Sequence, residues 1–235
     1  MTRLWHSSSL RCAMAFFVNG RDSESGEIHT INKKRILILL AIAAAVGGIF
    51  ISQSRGEKEA LDMKKTKTLI VYYSRTGNTK VVAELIQAKV GGDLAQIETK
   101  QERPSNYRQE VAQNEREQNE AVLPELKTAI PDFESYDRIF IGVPTWNMAL
   151  PQAVVTFMDR HDFTGKTVIP FNTNGGYGAG SSFEQIRTGV KGARTLEGFS
   201  VEGGRETDGV LLDIEGQRKT EVSREIAAWL KKIGQ

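Results

Sequence analysis

The sequence is poor in the residues from which proteins build disulfide frameworks and metal centres. Its 235 residues include a single cysteine, Cys12, which excludes an internal disulfide. The three histidines, His6, His29 and His161, lie too far apart to show the ligand spacing of a metal site. His161 is expected to be a surface residue rather than a proton donor. We therefore expect no metal centre and no disulfide in the folded part of the chain.

A large charge excess is also missing, since 31 Lys and Arg face 29 Asp and Glu. The balance differs along the chain. Residues 1–66 carry 10 basic against 6 acidic side chains, a net charge of +4, whereas residues 67–235 carry 21 against 23, a net charge of −2. A nearly neutral segment makes no electrostatic field that would attract nucleic acid, so no nucleic-acid partner is expected.

Long apolar runs are absent with one exception, the 16 residues from Ile36 to Ile51. This length lies between the roughly 7–15 residues of a signal-peptide core and the roughly 20 of a membrane-spanning helix. A cleaved signal would need a site of small residues after the run, and the sequence there fits poorly. We therefore favour an uncleaved single-pass membrane anchor, with a cleaved signal as the alternative.

The apolar run 36–51 divides the chain into an N-terminal tail and a folded part. Residues 1–35 have a mixed, basic composition typical of disorder, residues 52–66 form a polar linker, and residues 67–235 form the folded domain. The cluster Lys33-Lys34-Arg35 before the apolar run places the N-terminus inside by the positive-inside rule. The domain is then expected outside the cytoplasmic membrane.

Short apolar runs alternate with amphipathic patterns from Thr68 onward. Strands are predicted at residues 68–73, 93–98, 138–143, 167–171 and 196–201. Helices are predicted after Thr79, at 122–130, from Pro151, after a cap at Ser181, and at 217–233. The charged stretch 100–120 is a loop or an exposed helix. Such alternation predicts an α/β fold with a parallel sheet covered by helices on both faces.

The first predicted strand leads through Ser74-Arg75-Thr76-Gly77-Asn78-Thr79 into a helix. The N-terminus of a helix presents backbone N–H groups and the positive end of its dipole, which suits an anion such as a phosphate. Ser, Thr and Asn are also the usual helix-capping residues, so the same stretch is compatible with an ordinary capped turn. Taken alone, the loop leaves both interpretations open.

Two further loops follow the third and fourth predicted strands. Ligands of open parallel sheets bind at the carboxyl ends of the strands, so these loops should meet the first one. Residues 144–148 include Trp146, and the Gly-rich residues 172–180 include Tyr177. A single loop aromatic more often folds back onto the core. Two aromatics on adjacent loops favour a slot for a flat ring.

The three loops together resemble the flavodoxin family, whose cofactor is FMN, over residues 67–235. The resemblance implies a flavodoxin-like three-layer fold with a five-stranded sheet of order 2-1-3-4-5. It implies that the FMN phosphate is held by Ser74, Arg75, Thr76, Gly77, Asn78 and Thr79. It further implies that the cofactor's ring is bound by Pro144, Thr145, Trp146, Asn147, Asn174, Gly175, Gly176, Tyr177 and Gly178.

Two departures from the electron-carrying flavodoxins bear on function. Those carriers are strongly acidic, whereas residues 67–235 have a net charge of −2. Carriers also often place glycine after the tryptophan, where a peptide flip stabilises the one-electron-reduced flavin, and here the residue is Asn147. Weak stabilisation of that state is expected, so two-electron chemistry is favoured.

The expected function is that of an FMN-dependent oxidoreductase that passes electrons or hydride from a reduced donor, such as NAD(P)H, to an acceptor such as a quinone. No side chain is required as a nucleophile. Two alternatives remain at this point. One is an electron-transfer flavodoxin without a substrate of its own, and the other is a binding module that keeps the fold without the cofactor.

Overall fold

The computed structural model describes residues 66–235. The predicted tail 1–35, the apolar segment 36–51 and all but the last residue of the predicted linker 52–66 lie outside the described residues. Within 66–235, no helix is both long enough and apolar enough to cross a lipid bilayer.

A parallel sheet forms the centre of the domain. Its strands are β1 (Thr68–Tyr72), β2 (Asp93–Gln96), β3 (Arg138–Pro144), β4 (Thr167–Asn174), β5 (Arg194–Thr195) and β6 (Phe199–Glu202). They lie in the order β2-β1-β3-β4-β5, and β6 also pairs with β4. This is the predicted order 2-1-3-4-5, with β5 and β6 sharing the fifth position.

Helices cover both faces of the sheet. They are α1 (Asn78–Val90), α2 (Tyr107–Asn119), α3 (Gln152–Asp159), α4 (Ser182–Gly189) and α5 (Gly216–Lys232). Successive strand side chains point to opposite faces, so β3 supplies Ile139 and Ile141 to the core beneath α3 and α4. It supplies Phe140 to the core beneath α1 and α5. The predicted three-layer α/β fold is confirmed.

The fifth strand is interrupted where a continuous strand 196–201 was predicted. Between the pairs Val168↔Thr195 and Phe171↔Phe199, the edge strand contains one residue more than β4, which is the arrangement of a β-bulge. Pro170 lies on β4 at this point and has no N–H to donate to the edge. The break therefore follows from a proline on the neighbouring strand.

The predicted helix at 122–130 is wrong. This segment is extended beside the residues that follow β2, with Lys100 N donating to Glu125 O at 2.8 Å and Lys127 N donating to Glu98 O at 2.8 Å. Pro124 and Pro131 disfavour the helical conformation at the residues before them, Leu123 and Ile130, which leaves too short a run between the two for a stable helix. The charged stretch before it contains α2, so the helix alternative for 100–120 is the better one, although Glu110, Asn114 and Glu117 on this helix are buried rather than exposed.

Candidate functional site

A cavity of about 310 Å³ opens at the carboxyl ends of β1, β3 and β4. The three predicted loops meet there, as the topology of a parallel sheet requires. Eleven of the residues predicted to bind the cofactor line the cavity: Arg75, Thr76, Asn78, Thr79, Pro144, Thr145, Trp146, Asn147, Asn174, Gly175 and Tyr177. Ser74, Gly77, Gly176 and Gly178 belong to the same loops but are not among the lining residues.

The loop after β6 forms a fourth wall of the cavity, which the sequence did not predict. It consists of Gly203, Gly204, Arg205, Glu206 and Thr207, which follow β6, and it is joined by Tyr107, Met148 and Thr173. The Gly-Gly pair after the fifth strand was the available signal, because this loop also leaves a strand at its carboxyl end. By contrast, His161 does not line the cavity, and its ring packs 4.2 Å from that of Phe133.

The first loop presents backbone N–H groups. Gly77 precedes α1 with φ of 100°, a left-handed conformation that favours glycine, and no side chain caps the helix from that position. Ser74 Oγ lies inside the loop and accepts hydrogen bonds from Gly77 N at 3.2 Å and Lys80 N at 3.4 Å. Within 66–235, the N–H groups of Thr76, Asn78 and Thr79 donate to no protein acceptor. These N–H groups at a helix N-terminus fit a phosphate.

The Arg75 side chain bonds to protein groups. Its Nε lies 3.0 Å from Glu206 Oε2, and its two terminal nitrogens donate to Pro104 O at 2.8 Å and Ser105 O at 2.9 Å. Each nitrogen of the guanidinium therefore has a protein partner. Arg75 joins the first loop to the segment before α2 and to the fourth wall.

Asn78 also uses its side chain on the protein. Its Nδ2 donates to Thr76 Oγ1 at 3.1 Å and Leu211 O at 2.7 Å. Its Oδ1 accepts from Asp213 N at 3.0 Å and Ile214 N at 3.1 Å. The side chain is buried, at 4% exposure. It therefore fastens residues 211–214 against the first loop and leaves only its backbone N–H for a ligand.

The turn after β3 is left-handed and tightly held. Trp146 and Ala149 exchange backbone hydrogen bonds of 3.1 and 2.9 Å, and the two residues between them, Asn147 and Met148, have φ of 48° and 60°. Such angles strain a non-glycine residue, above all methionine. Ser181 holds the turn from outside, donating to Met148 O from its backbone N at 2.8 Å and from its Oγ at 2.9 Å.

The two aromatic residues differ in their surroundings. Trp146 is half-buried and meets Tyr73 edge-on, with ring centroids 5.4 Å apart. Burial raises the pKa of Tyr73 to about 12. Tyr177 is 77% exposed. Its loop is held by Asn174 Oδ1, which accepts from the backbone N of Gly176 and of Gly178 at 2.9 Å each.

The lining residues fit a planar ring joined to a phosphate. The lining includes Thr76, Asn78 and Thr79, whose backbone N–H groups donate to no acceptor in 66–235, and the aromatic residues Trp146 and Tyr177. Thr145 Oγ1 donates to Gly178 O at 2.9 Å and so links these two loops. The volume of about 310 Å³ is at the lower end of the range for ligand pockets, roughly 300–1,000 Å³.

Known proteins match this chain over the same region. A family model described as flavodoxin matches residues 67–213. A flavodoxin of Synechocystis sp. is 28% identical over 124 residues, which make up 51% of this chain and 58% of that protein. A solved structure from Bacteroides eggerthii, assigned as a flavoprotein, is 29% identical, covers 72% of this chain and 98% of its own, and has a TM-score of 0.59. A Lactobacillus acidophilus flavoprotein solved with FMN shares the fold. It is 22% identical, covers 57% of this chain and 93% of its own, and has a TM-score of 0.51.

Proposed function

We propose that this chain, which belongs to the flavodoxin family, is an oxidoreductase that passes electrons or hydride from a reduced donor to an acceptor such as a quinone. Family membership confirms the prediction of FMN as the cofactor. When bound, FMN supplies the redox chemistry, and the protein supplies binding, orientation and electrostatics.

The backbone of the first loop would hold the cofactor's phosphate. The N–H groups of Thr76, Asn78 and Thr79 are directed by the left-handed Gly77 and by the start of α1. The positive charge of Arg75 is paired with Glu206, whose carboxylate lies 3.0 Å away. Phosphate binding would therefore rest on backbone dipoles more than on a free cation.

The conformation of the turn after β3 supports the preference for two-electron chemistry. The turn Trp146–Ala149 is closed by two backbone hydrogen bonds and held further by Ser181 and by Gln118, whose Nε2 donates to Trp146 O at 3.0 Å. The central peptide, Asn147–Met148, makes none of these bonds, so it could flip while they remain. A flip would, however, give a turn whose first central residue has a conformation that favours glycine, and that residue is Asn147. This cost would oppose a new hydrogen bond from the turn to a one-electron-reduced flavin.

Steady-state turnover tests the proposal. Purified protein loaded with FMN should oxidise NADH or NADPH continuously when a soluble quinone is present, and much more slowly without it. Stepwise reduction should pass from the oxidised to the fully reduced absorbance spectrum with little intermediate. A large, long-lived blue one-electron species together with no turnover would contradict the proposal.

A second candidate is an electron carrier without a substrate of its own. The exposure of Tyr177, 77%, favours it, because an accessible ring edge would suit contact with a redox protein. Rapid single-electron exchange with a reduced one-electron protein, without NAD(P)H oxidation, would support this candidate over an oxidoreductase.

We also propose that the domain is tethered to the cell membrane on its outer side by residues 36–51. The length of that apolar run and the Lys33-Lys34-Arg35 cluster support this location. Protease added to intact cells should then cleave the domain. Full protection until the cells are lysed would contradict it.

A further inference from the structure

Helix α2 and the residues before it contain a buried ion network that lies outside the phosphate and ring loops. Arg103 Nε donates to Glu110 Oε1 at 3.0 Å, and its Nη1 donates to Glu117 Oε1 at 2.5 Å. The Arg103 side chain is 15% exposed, and those of the two glutamates are 3% and 8% exposed. Residues seven apart lie about two helical turns apart on the same face. The network therefore joins Arg103 to two turns of α2.

The guanidinium of Arg103 lies over the Trp146 ring. Its Cζ is 5.7 Å from the ring centroid, which is within the distance of a cation–π contact. Burial opposes the charged form of Arg103, but hydrogen bonds to Glu117 and Glu110 outweigh burial and raise the pKa above its usual value. Arg103 therefore presents a permanent positive charge to the indole.

Other groups hold Trp146 as well, and part of the residue stays open to the cavity. Tyr73 meets the ring edge-on at 5.4 Å, and Gln118 Nε2 donates to Trp146 O at 3.0 Å. Trp146 lines the cavity at the carboxyl ends of the strands, whereas Arg103 does not. Arg103 thus contacts the indole from the protein side and leaves the cavity side free for a ligand.

The residues next to Arg103 are fastened to the first loop. Arg75 donates to Pro104 O at 2.8 Å and to Ser105 O at 2.9 Å. The backbone beside Arg103 is therefore held by the loop that presents the phosphate-binding N–H groups. Its side chain is held by the two carboxylates of α2. Together these contacts leave the guanidinium little freedom to move away from Trp146.

We propose that Arg103, held by Glu110 and Glu117, is a positioning residue for the cofactor's ring, because it fixes the indole of Trp146 in the orientation that packs against that ring. Arg103 acts through Trp146 and needs no contact with the cofactor itself. The proposal rests on one part of the proposed function, the binding of FMN in the cavity that Trp146 lines. It does not depend on which molecule donates or accepts the electrons.

A purely structural role for the ion network is the competing explanation. In that case the network only anchors α2 to the domain, and the contact with Trp146 has no effect on the cofactor. Loss of Arg103 would then change FMN affinity by the same factor whether or not the indole is present. A double-mutant cycle between Arg103 and Trp146 separates the two explanations, because it isolates the coupling between a pair of residues.

The test is a fluorescence titration of the full-length apo-protein with FMN. Arg103→Met removes the charge and keeps an unbranched side chain, and it should weaken FMN binding about five- to tenfold. In a Trp146→Leu background the same change should alter the affinity by less than about twofold. The near-UV circular dichroism band of Trp146, obtained by subtracting the spectrum of Trp146→Leu, should also shrink in Arg103→Met, because the indole becomes more mobile.

Further variants control for loss of the fold, because Arg103→Met leaves two buried carboxylates unpaired. Arg103→Met combined with Glu110→Gln and Glu117→Gln has no buried charge in the network and should show the same loss of FMN affinity. Arg103→Lys keeps a cation but lacks the planar fork that bonds both carboxylates, so its affinity should be intermediate. Arg108→Met removes an exposed cation of α2 and should change nothing. Far-UV circular dichroism verifies the fold of each variant.

Two results would overturn the proposal. One is wild-type FMN affinity in the folded triple variant, together with an unchanged Trp146 band. The other is an equally large loss of affinity when Arg103→Met is made in the Trp146→Leu background, since Arg103 would then act independently of the indole. No turnover is measured, so failure of the NAD(P)H and quinone assay would contradict the oxidoreductase proposal without affecting this one.

Discussion

The hydrogen bonds of Asn78 make a strong and specific prediction about stability. Replacing this residue with alanine removes two donated and two accepted hydrogen bonds while leaving the backbone of α1 in place. One of the lost partners, the backbone N–H of Ile214, belongs to a residue with 0% exposure. Water cannot replace that bond without local opening of the 211–214 segment.

The expected cost follows from these four bonds. Each contributes about 0.5–1.5 kcal/mol net, and an unsatisfied buried donor adds to the loss, so Asn78→Ala should lower the free energy of unfolding by about 3–5 kcal/mol. Domains of this kind have only about 5–15 kcal/mol in total. The variant should therefore fold, but with a much lower urea midpoint.

Urea unfolding of apo-protein, followed by tryptophan fluorescence and by circular dichroism, measures this cost without any contribution from the cofactor. Lys89→Ala, an exposed change near the end of the same helix, is the control and should cost less than about 0.5 kcal/mol. A loss below about 1 kcal/mol for Asn78→Ala would refute the reasoning, since the four bonds would then contribute almost nothing.

Three further predictions concern the site and its surroundings. Arg75→Met should weaken FMN and riboflavin binding by similar factors in fluorescence titrations, because the guanidinium bonds to protein groups; a selective loss of FMN affinity would show instead that it contacts the phosphate. Met148→Gly should raise the free energy of unfolding by about 0.5–1 kcal/mol, measured as a slightly higher urea midpoint, because glycine removes left-handed strain of roughly 1–2 kcal/mol while its greater chain entropy in the unfolded state offsets part of that gain. Burial raises the pKa of Tyr73 from 10.0 to about 12, so the stability that it contributes is complete below pH 10 and is lost as the pH rises from 10 to 12. Tyr73→Phe should remove that part of the alkaline decline in unfolding free energy, and an unchanged pH profile would contradict the assignment.

The central strands and the position of the site were predictable from local sequence. The buried runs of β1, β3 and β4 are continuous and apolar, and a parallel sheet brings the loops that follow them to one edge. The fifth strand was harder to predict because its interruption depends on Pro170, which lies on another strand. Pro124 and Pro131 restrict the residues before them to extended conformations, so the apolar pattern at 122–130 could not by itself specify a helix.

The roles of individual side chains could not be predicted in the same way. Both Arg75 and Asn78 lie in a loop whose pattern is typical of phosphate binding, yet their partners, Glu206 and Leu211, are 131 and 133 residues away in the sequence. Nothing local distinguishes a side chain that contacts a ligand from one that fastens the loop. The sequence motif therefore predicts the conformation of the loop backbone, whose N–H groups fit a phosphate, but it does not predict the partners of the side chains.

This division of roles explains how the site can be built before the cofactor arrives. The segment 203–214 is bound by Arg75 through Glu206 and by Asn78 through three of its backbone groups. Those contacts fix the first loop from outside, while the N–H groups of Thr76, Asn78 and Thr79 stay directed toward the cavity. Because the loop is already ordered, little conformational entropy remains to be lost on phosphate binding. The charged and amide side chains of the motif thus act by pre-organising its backbone.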